Sequence, residues 1–530
     1  MELKKFYQLL IRLIKHNFGV IFLLMLLVPF YFVLYQFYIP RISAFGCFDD
    51  CFNFVGGYFI EHGMTIYKDF FFNHQPIPAI LSYVIQTVTH PINIFELILR
   101  HRQFILVFGF LFNALFIIRF KYLAVPFILI FELSKFYVFG DRFLAEGMIV
   151  YPLVYLLGIA LLKLLKQKLY AIDYPLSATF AWFVIFSREP FVPLVVLLTL
   201  IIFREKFEKI KKYSIFLLFL LTAGILFYIK DLKEFYFNVV TFNLEAIIPS
   251  DIKAELWGPK IFHIFLYPFY IPFYGELNIF RTLLLGIDVI FVGLVILLIK
   301  RRNIKILFLI FTILGLANIR VIYPGAMFYG SFHLIVWWGF FIFTTSFLIF
   351  KFTHRNARIL LLSSLIVMVS FFIFDKSYFP REKVNSHEEY INNFGYTLGD
   401  GEIIKILSDK SDKLFLERSD DLIFWQSGLI SEYKYGWYTS KMNFYDKYNN
   451  ERINMFKNYP PEFYREYGTC PKKTVDPSLT LPEFINNKYI RIYSEQGATC
   501  IFVRKDKLET ITDDKFLKVN ALFRIKKPIF

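Results

Sequence analysis

The chain has 530 residues, of which 57% are hydrophobic and 21% aromatic, and its mean hydropathy is +0.51. That is far more apolar surface than one globular core can hide, so lipid must solvate much of it, which excludes an ordinary soluble multidomain protein. The formal net charge of +16 sits in short clusters between apolar runs, the pattern that orients membrane proteins, and this argues against nucleic-acid binding.

In chain order, a basic N-terminal stretch (Lys4, Lys5, Arg12, Lys15) precedes an apolar run over 17–39. This run is of full spanning length, longer than a signal-peptide core, and reads as a retained first helix. Further runs over 103–118, 122–139, 147–165, 170–186, 189–203, 214–229, 281–299, 304–319, 331–350 and 358–374 bring the total to about eleven transmembrane helices. Basic clusters fall in every second gap: at the N-terminus, at Arg119 and Lys121, Lys163 to Lys168, Arg204 to Lys212, Lys300 to Lys305, and Lys351 to Arg358. By the positive-inside rule these gaps and the N-terminus are cytoplasmic, and an odd helix count puts the C-terminal region outside.

The outer side then receives loop 40–102, whose segment Ile92 to Arg102 is expected to lie in the interface, and the aromatic, proline-bearing loop 230–280 with Trp257, Pro259, Pro268 and Pro272. After Asp375 the chain turns polar. Residues 376–530 are expected to form a small α/β domain, with a helix at Glu402 to Ile406 and a strand at Leu414 to Leu416. A second helix is expected at Leu481 to Asn486, then a hairpin of Tyr489 to Tyr493 and Thr499 to Val503. The domains are therefore a transmembrane part, 1–375, and an extracytoplasmic part, 376–530.

Loop 40–102 holds the residues best suited to chemistry. Asp49 and Asp50 are adjacent carboxylates among aromatic and cysteine neighbours just past a helix end, where a carboxylate can act as general base toward a hydroxyl. Cys47 and Cys51 flank them, either as a redox pair or half a metal site or as two small apolar residues; Cys470 and Cys500 form the second pair on the same predicted side. No histidine spacing completes a zinc site, and no metal ligand is assigned. Glu132 and Lys135, three apart, can satisfy each other across one helix face. Arg188 beside Glu189 reads equally well as an ion pair at a helix turn.

The order FDD…GGYFIEHGMTIYKDFFFNHQPIPAIL resembles the first external loop of GT-C membrane glycosyltransferases, nearest the protein O-mannosyltransferase and lipid A aminoarabinose transferase branch. Asp49 and Asp50 correspond to the acidic pair, Gly63 to the glycine, Tyr67 and Asp69 to the Tyr-x-Asp element, and His74, Pro76 and Pro78 to the closing run. The chain departs in carrying Asp where the second Glu is usual, and in splitting the proline pair with Ile77. Glu146 resembles the second acidic motif, and Arg188, Arg320 and His333 the basic and histidine positions that face a lipid-linked phosphate.

The resemblance implies a multi-pass bacterial plasma-membrane enzyme. It would move a sugar from a polyprenyl-phosphate donor to a lipid, glycan or protein acceptor on the outer side, by an inverting displacement. In that reading Asp49 is the base, with Asp50 and Glu146 assisting. Tyr67, Asp69, His74, Arg188, Arg320 and His333 hold substrate, and a divalent cation requirement stays open. Nucleic acid is not an expected partner. The rival reading from residues alone is a polytopic transporter or lipid flippase, which would set charged residues inside its spans.

Overall fold

The computed structural model describes residues 2–42, 50–204, 209–247, 269, 271–273, 279–319, 331–356, 358–360, 363–364, 367, 395–417, 422–436, 442, 445–466, 488–494 and 497–528. The chain is mostly helical, with a small sheet in its C-terminal part. Among the described residues, six helical stretches are long and apolar enough to cross a membrane: Phe18–Ile39, Ile94–Val138, Ala145–Leu164, Lys209–Ile229, Phe280–Lys300 and Phe332–Phe352. They cover seven of the eleven expected runs. The runs over 170–186, 189–203 and 304–319 form helices of only 12 to 14 residues, and most of 358–374 lies outside the described residues.

The chain divides into two compact units. The first comprises Met1–Ser43, His101–Gly224 and Ala254–Lys383. Its helices are α1 (Glu2–Ile42), α4 (Ile94–Phe120, continuing from the other unit), α5 (Ala124–Ser134), α6 (Ala145–Leu164), α7 (Asp173–Ile185), α8 (Val192–Phe203), α9 (Lys209–Ile229), α11 (Ile279–Lys300), α12 (Ile304–Ala317) and α13 (Ile335–Phe352). The 45-residue apolar stretch Ile94–Val138 is a hairpin and not one long helix. Lys121 takes a left-handed φ of 55°, α5 folds back on α4, and Asn113 Nδ2 donates to Glu132 Oε1 at 2.7 Å across the turn. The turn also brings the Phe116 and Phe127 rings to 5.5 Å. Segment Ile92 to Arg102, expected as a separate interfacial piece, instead leads into and opens the 27-residue helix α4.

Helices α6 and α13 are buried along most of their length, forming the centre of this unit. Gly158 of α6 and Gly339 of α13 give the backbone room there: a Cβ on Gly158 would lie 2.4 Å from Phe120, and one on Gly339 2.5 Å from Val150.

The second unit gathers Ala44–Arg100, Ile225–Lys253 and Val384–Phe530. The sequence divides the chain at 375; the compact unit also takes in the first long loop and a stretch of the second. Its elements are α2 (Asp50–Glu61), α3 (Pro76–Thr89), α10 (Leu232–Tyr236), α14 (Gly395–Leu407), β1 (Leu414–Leu416), α15 (Leu422–Ser427), α16 (Asp446–Asn458), β2 (Phe463–Arg465), β3 (Tyr489–Ser494), β4 (Gly497–Arg504), α17 (Lys505–Thr510) and α18 (Asp513–Phe523). The sheet order is β1-β2-β4-β3, with β1 parallel to β2 and the other pairs antiparallel.

The expected helix at 402–406, the strand at 414–416 and the late hairpin are all present, whereas 481–486 lies outside the described residues. Ion pairs tie the sheet to its helices. Arg465, fully buried on β2, meets Asp400 of α14 at 3.0 Å, and Arg452 of α16 meets Glu417 at 3.0 Å. Lys507 and Lys515 both reach the Asp409 carboxylate, and their hydrogen bonds draw its pKa down to about 2.

Candidate functional site

Asp49 lies outside the described residues; Asp50 opens α2 and is completely buried. Helix α2 crosses α3 at close range because of its two glycines. A Cβ on Gly57 would stand 2.6 Å from the Tyr83 backbone nitrogen and 2.7 Å from Ser82 Oγ. Gln86 of α3 donates to the Phe54 carbonyl at 2.8 Å, and Trp425 of α15 donates to Gln86 Oε1 at 2.9 Å.

Between these helices the chain makes a tight excursion. Gly63 adopts a φ of 80°, open only to glycine at low cost. The Asp69 carboxylate accepts the Thr65 N–H at 2.7 Å while the Asp69 N–H returns to the Thr65 carbonyl at 2.8 Å. Between them Tyr67, itself at φ 67°, is fully buried and donates its hydroxyl to the His74 carbonyl at 2.7 Å. The half-buried His74 ring stands edge-on to Phe72 and Phe52, 5.8 and 6.2 Å away, the latter two residues beyond Asp50. Pro76 then starts α3 after an extended Gln75. Tyr67, Asp69 and His74 thus share one folded turn that leads back to the base of α2.

Sequence reading missed what anchors this turn. The Phe72 N–H donates to Asn238 Oδ1 at 2.8 Å, and Asn243 Nδ2 donates to the Asn73 carbonyl at 2.8 Å. Both asparagines sit in two π-helical segments, Phe237–Thr241 and Asn243–Ile247, a rare geometry frequent at functional sites. The only signal for them was two amides in an aromatic run, FYFNVVTFNLE. The Phe71 N–H donates to the Lys434 carbonyl at 2.8 Å, and Lys434 pairs with Glu234 at 2.9 Å. Phe71, Phe237, Phe242, Tyr435, Tyr445 and Tyr448 form one aromatic cluster around this join. Burial, with Glu245 adding for Tyr445 and Glu234 for Tyr448, pushes those two hydroxyls up to about 12, so both stay protonated.

Glu146, Arg188 and His333 fall in the other unit. Glu146 lies in the first turn of α6 and takes Arg188 Nε on Oε1 at 2.9 Å, with both side chains buried. At the opposite end of antiparallel α6 and α7, Arg119 grips Asp173 through two 2.8 Å bonds, and Tyr155 adds a third contact at 2.9 Å. His333 is half-buried in a 3-10 turn, its ring 4.2 Å from Phe332. Arg320 lies outside the described residues.

Deep in this unit, Lys135 pairs with Glu132 at 2.6 Å, as the spacing suggested. Tyr151 donates to Glu132 at 2.8 Å, and Lys135 donates to the Tyr151 hydroxyl at 2.9 Å. Cys51 and Cys500 are each in a disulfide, and the other two cysteines, Cys47 and Cys470, lie outside the described residues. Among the described residues, no group of three His, Cys, Asp or Glu side chains converges as a metal site. Comparison with family models, with curated proteins and with solved structures finds no match to this chain.

Proposed function

We propose that this chain is a GT-C-type membrane glycosyltransferase, moving a sugar from a polyprenyl-phosphate donor to an acceptor on the extracytoplasmic side. One observation carries the reading: a fully buried Asp50 carboxylate opening the helix that follows the first span, with the Tyr67–His74 turn folded back toward it. A lipid-linked sugar holds its headgroup at the bilayer edge, which suits an acidic group set just past a spanning helix. Asp49 or Asp50 accepts the acceptor hydroxyl proton as the anomeric carbon gains oxocarbenium character, and the lipid phosphate leaves with the bonding electron pair. Arg188, Arg320 and His333 are the proposed contacts for the phosphate charge.

The test uses full-length protein in nanodiscs with a panel of radiolabelled polyprenyl-phosphate sugars. Turnover of one donor should fall by about 10²–10⁴-fold in Asp49→Asn or Asp50→Asn, the span of general-base effects. Full activity in both variants, or turnover of none of the donors, overturns the proposal.

One observation favours the transporter reading instead. Asp288 lies within the span Phe280–Lys300, is 5% exposed, and neither carboxylate oxygen has a hydrogen-bond partner. An ionisable group at such depth marks a pathway in many transporters. That reading requires transport lost in Asp288→Asn with sugar transfer absent throughout.

A further inference from the structure

We infer that an open cleft in the C-terminal part of the chain binds an acidic oligosaccharide, one in which anionic and neutral sugars are mixed. The cleft encloses about 690 Å³, within the range of small-molecule sites, and lies where α16 ends, β4 ends and α17 begins.

Its floor is built before any ligand arrives. Arg504 donates to the Pro460 carbonyl and meets Glu462 at 2.9 Å and Asp506 at 2.6 Å. Tyr489 donates its hydroxyl to the Pro461 carbonyl at 2.5 Å, and the Arg504 N–H donates to the Glu462 carbonyl at 3.0 Å. The Pro-Pro segment is thereby fixed on both carbonyls.

On this fixed base Tyr459 leaves 69% of its surface exposed, although its N–H is held by the Met455 carbonyl at 2.8 Å. Among the described residues beyond 384, only Leu517 and Leu522 are comparably exposed large apolar side chains, and neither lines the cleft. A flat aromatic ring beside two proline rings offers a dry face with a polar rim, which the C–H face of a pyranose covers.

The charge pattern selects among sugars. Arg504 is committed to Glu462 and Asp506, and Lys413 faces Glu432 at 3.8 Å. Lys488 and Lys505 bring two further ammonium groups to the same wall, Lys488 making a 3.3 Å contact with the Lys457 carbonyl. A neutral glycan leaves those lysines without a counter-charge. A uniformly anionic chain meets the carboxylates of Glu432, Glu462 and Asp506. Alternating sugars answer both.

The test measures binding to the full-length protein in nanodiscs by thermophoresis, with three probes: a hyaluronan hexamer (alternating uronate and neutral sugar), maltohexaose and hexaglutamate peptide. The hyaluronan hexamer should bind tightest. Tyr459→Ala should weaken it about tenfold, the loss expected for one stacking face. Lys505→Glu should weaken it as well, and Leu522→Ala should leave both affinity and unfolding midpoint unchanged. Absence of hyaluronan binding, equal binding of maltohexaose or hexaglutamate, or wild-type affinity in Tyr459→Ala overturns the proposal. No sugar donor enters this assay, so its failure and the failure of the transferase reading are separable.

Discussion

Arg188 carries two readings that differ at a single bond. As a phosphate contact it would hold its charge for substrate; in the structure its Nε lies 2.9 Å from Glu146, both side chains buried. Removing one member of such a pair leaves a buried charge without its partner, which costs about 3–5 kcal/mol, while removing both costs much less. Arg188→Leu should therefore lower the unfolding midpoint sharply, and adding Glu146→Leu should recover most of the loss. Measured by thermal unfolding in one detergent, a single variant as stable as wild type would show that the pair holds nothing together. If the double variant folds well yet fails to turn over donor, at least one of Arg188 and Glu146 also serves the reaction. At this scale the sequence reveals partners only when they are near: Glu132 and Lys135 are three residues apart and could be paired on paper. Asn238 and Phe72 are joined only through the fold, so no local pattern pointed to their bond.

Helices and strands were legible in proportion to the length of their signal. The long apolar runs emerged as helices, and the β3–β4 hairpin was readable from two alternating stretches around a polar turn. Strand β2, three residues long and central in the sheet, carries too little sequence to announce itself, since its place depends on β1 and β4 flanking it. Apolar periodicity also could not tell where one helix ends: the initial turns of α4 read as a separate amphipathic piece. Small residues are the more telling signal, because they mark close approach. In the GGY of α2 the structure gives the second glycine, Gly57, a packing reason. Gly57→Ala would force its Cβ to within 2.6 Å of the Tyr83 backbone, and backbone cannot swing aside as a long side chain can. Such overpacking costs about 1–3 kcal/mol. The variant should melt earlier by that amount, whereas Gly63→Ala should lose only about 1 kcal/mol, through its positive φ. Equal stability of Gly57→Ala and wild type would mean that α2 and α3 do not pack this closely.

For the molecule as a whole, what the sequence could not supply was the grouping of distant segments. Residues 44–100, 225–253 and 384–530 are separated by long apolar helices, yet they belong to one compact unit, stitched by hydrogen bonds such as Phe71 to Lys434 and Phe72 to Asn238. Charge patterning assigns all three segments to the same side of the membrane, an expectation with which a shared fold is compatible. Cys51 and Cys500 are each in a disulfide, and disulfides persist in oxidising compartments and not in a reduced cytoplasm, so we expect this unit on the outer side. Together these lead to a topology that can be measured. In intact bacterial spheroplasts, added protease should remove an epitope tag placed at the C-terminus and spare one at the N-terminus until the cells are lysed. A membrane-impermeant maleimide should label the protein only after reduction, and reduction should cost this unit about 2–4 kcal/mol of stability for each disulfide opened. Protection of the C-terminal tag, or no labelling even after reduction until the cells are lysed, would put the unit in the cytoplasm and remove both the outer-side acceptor and the buried Asp50 from the proposed chemistry.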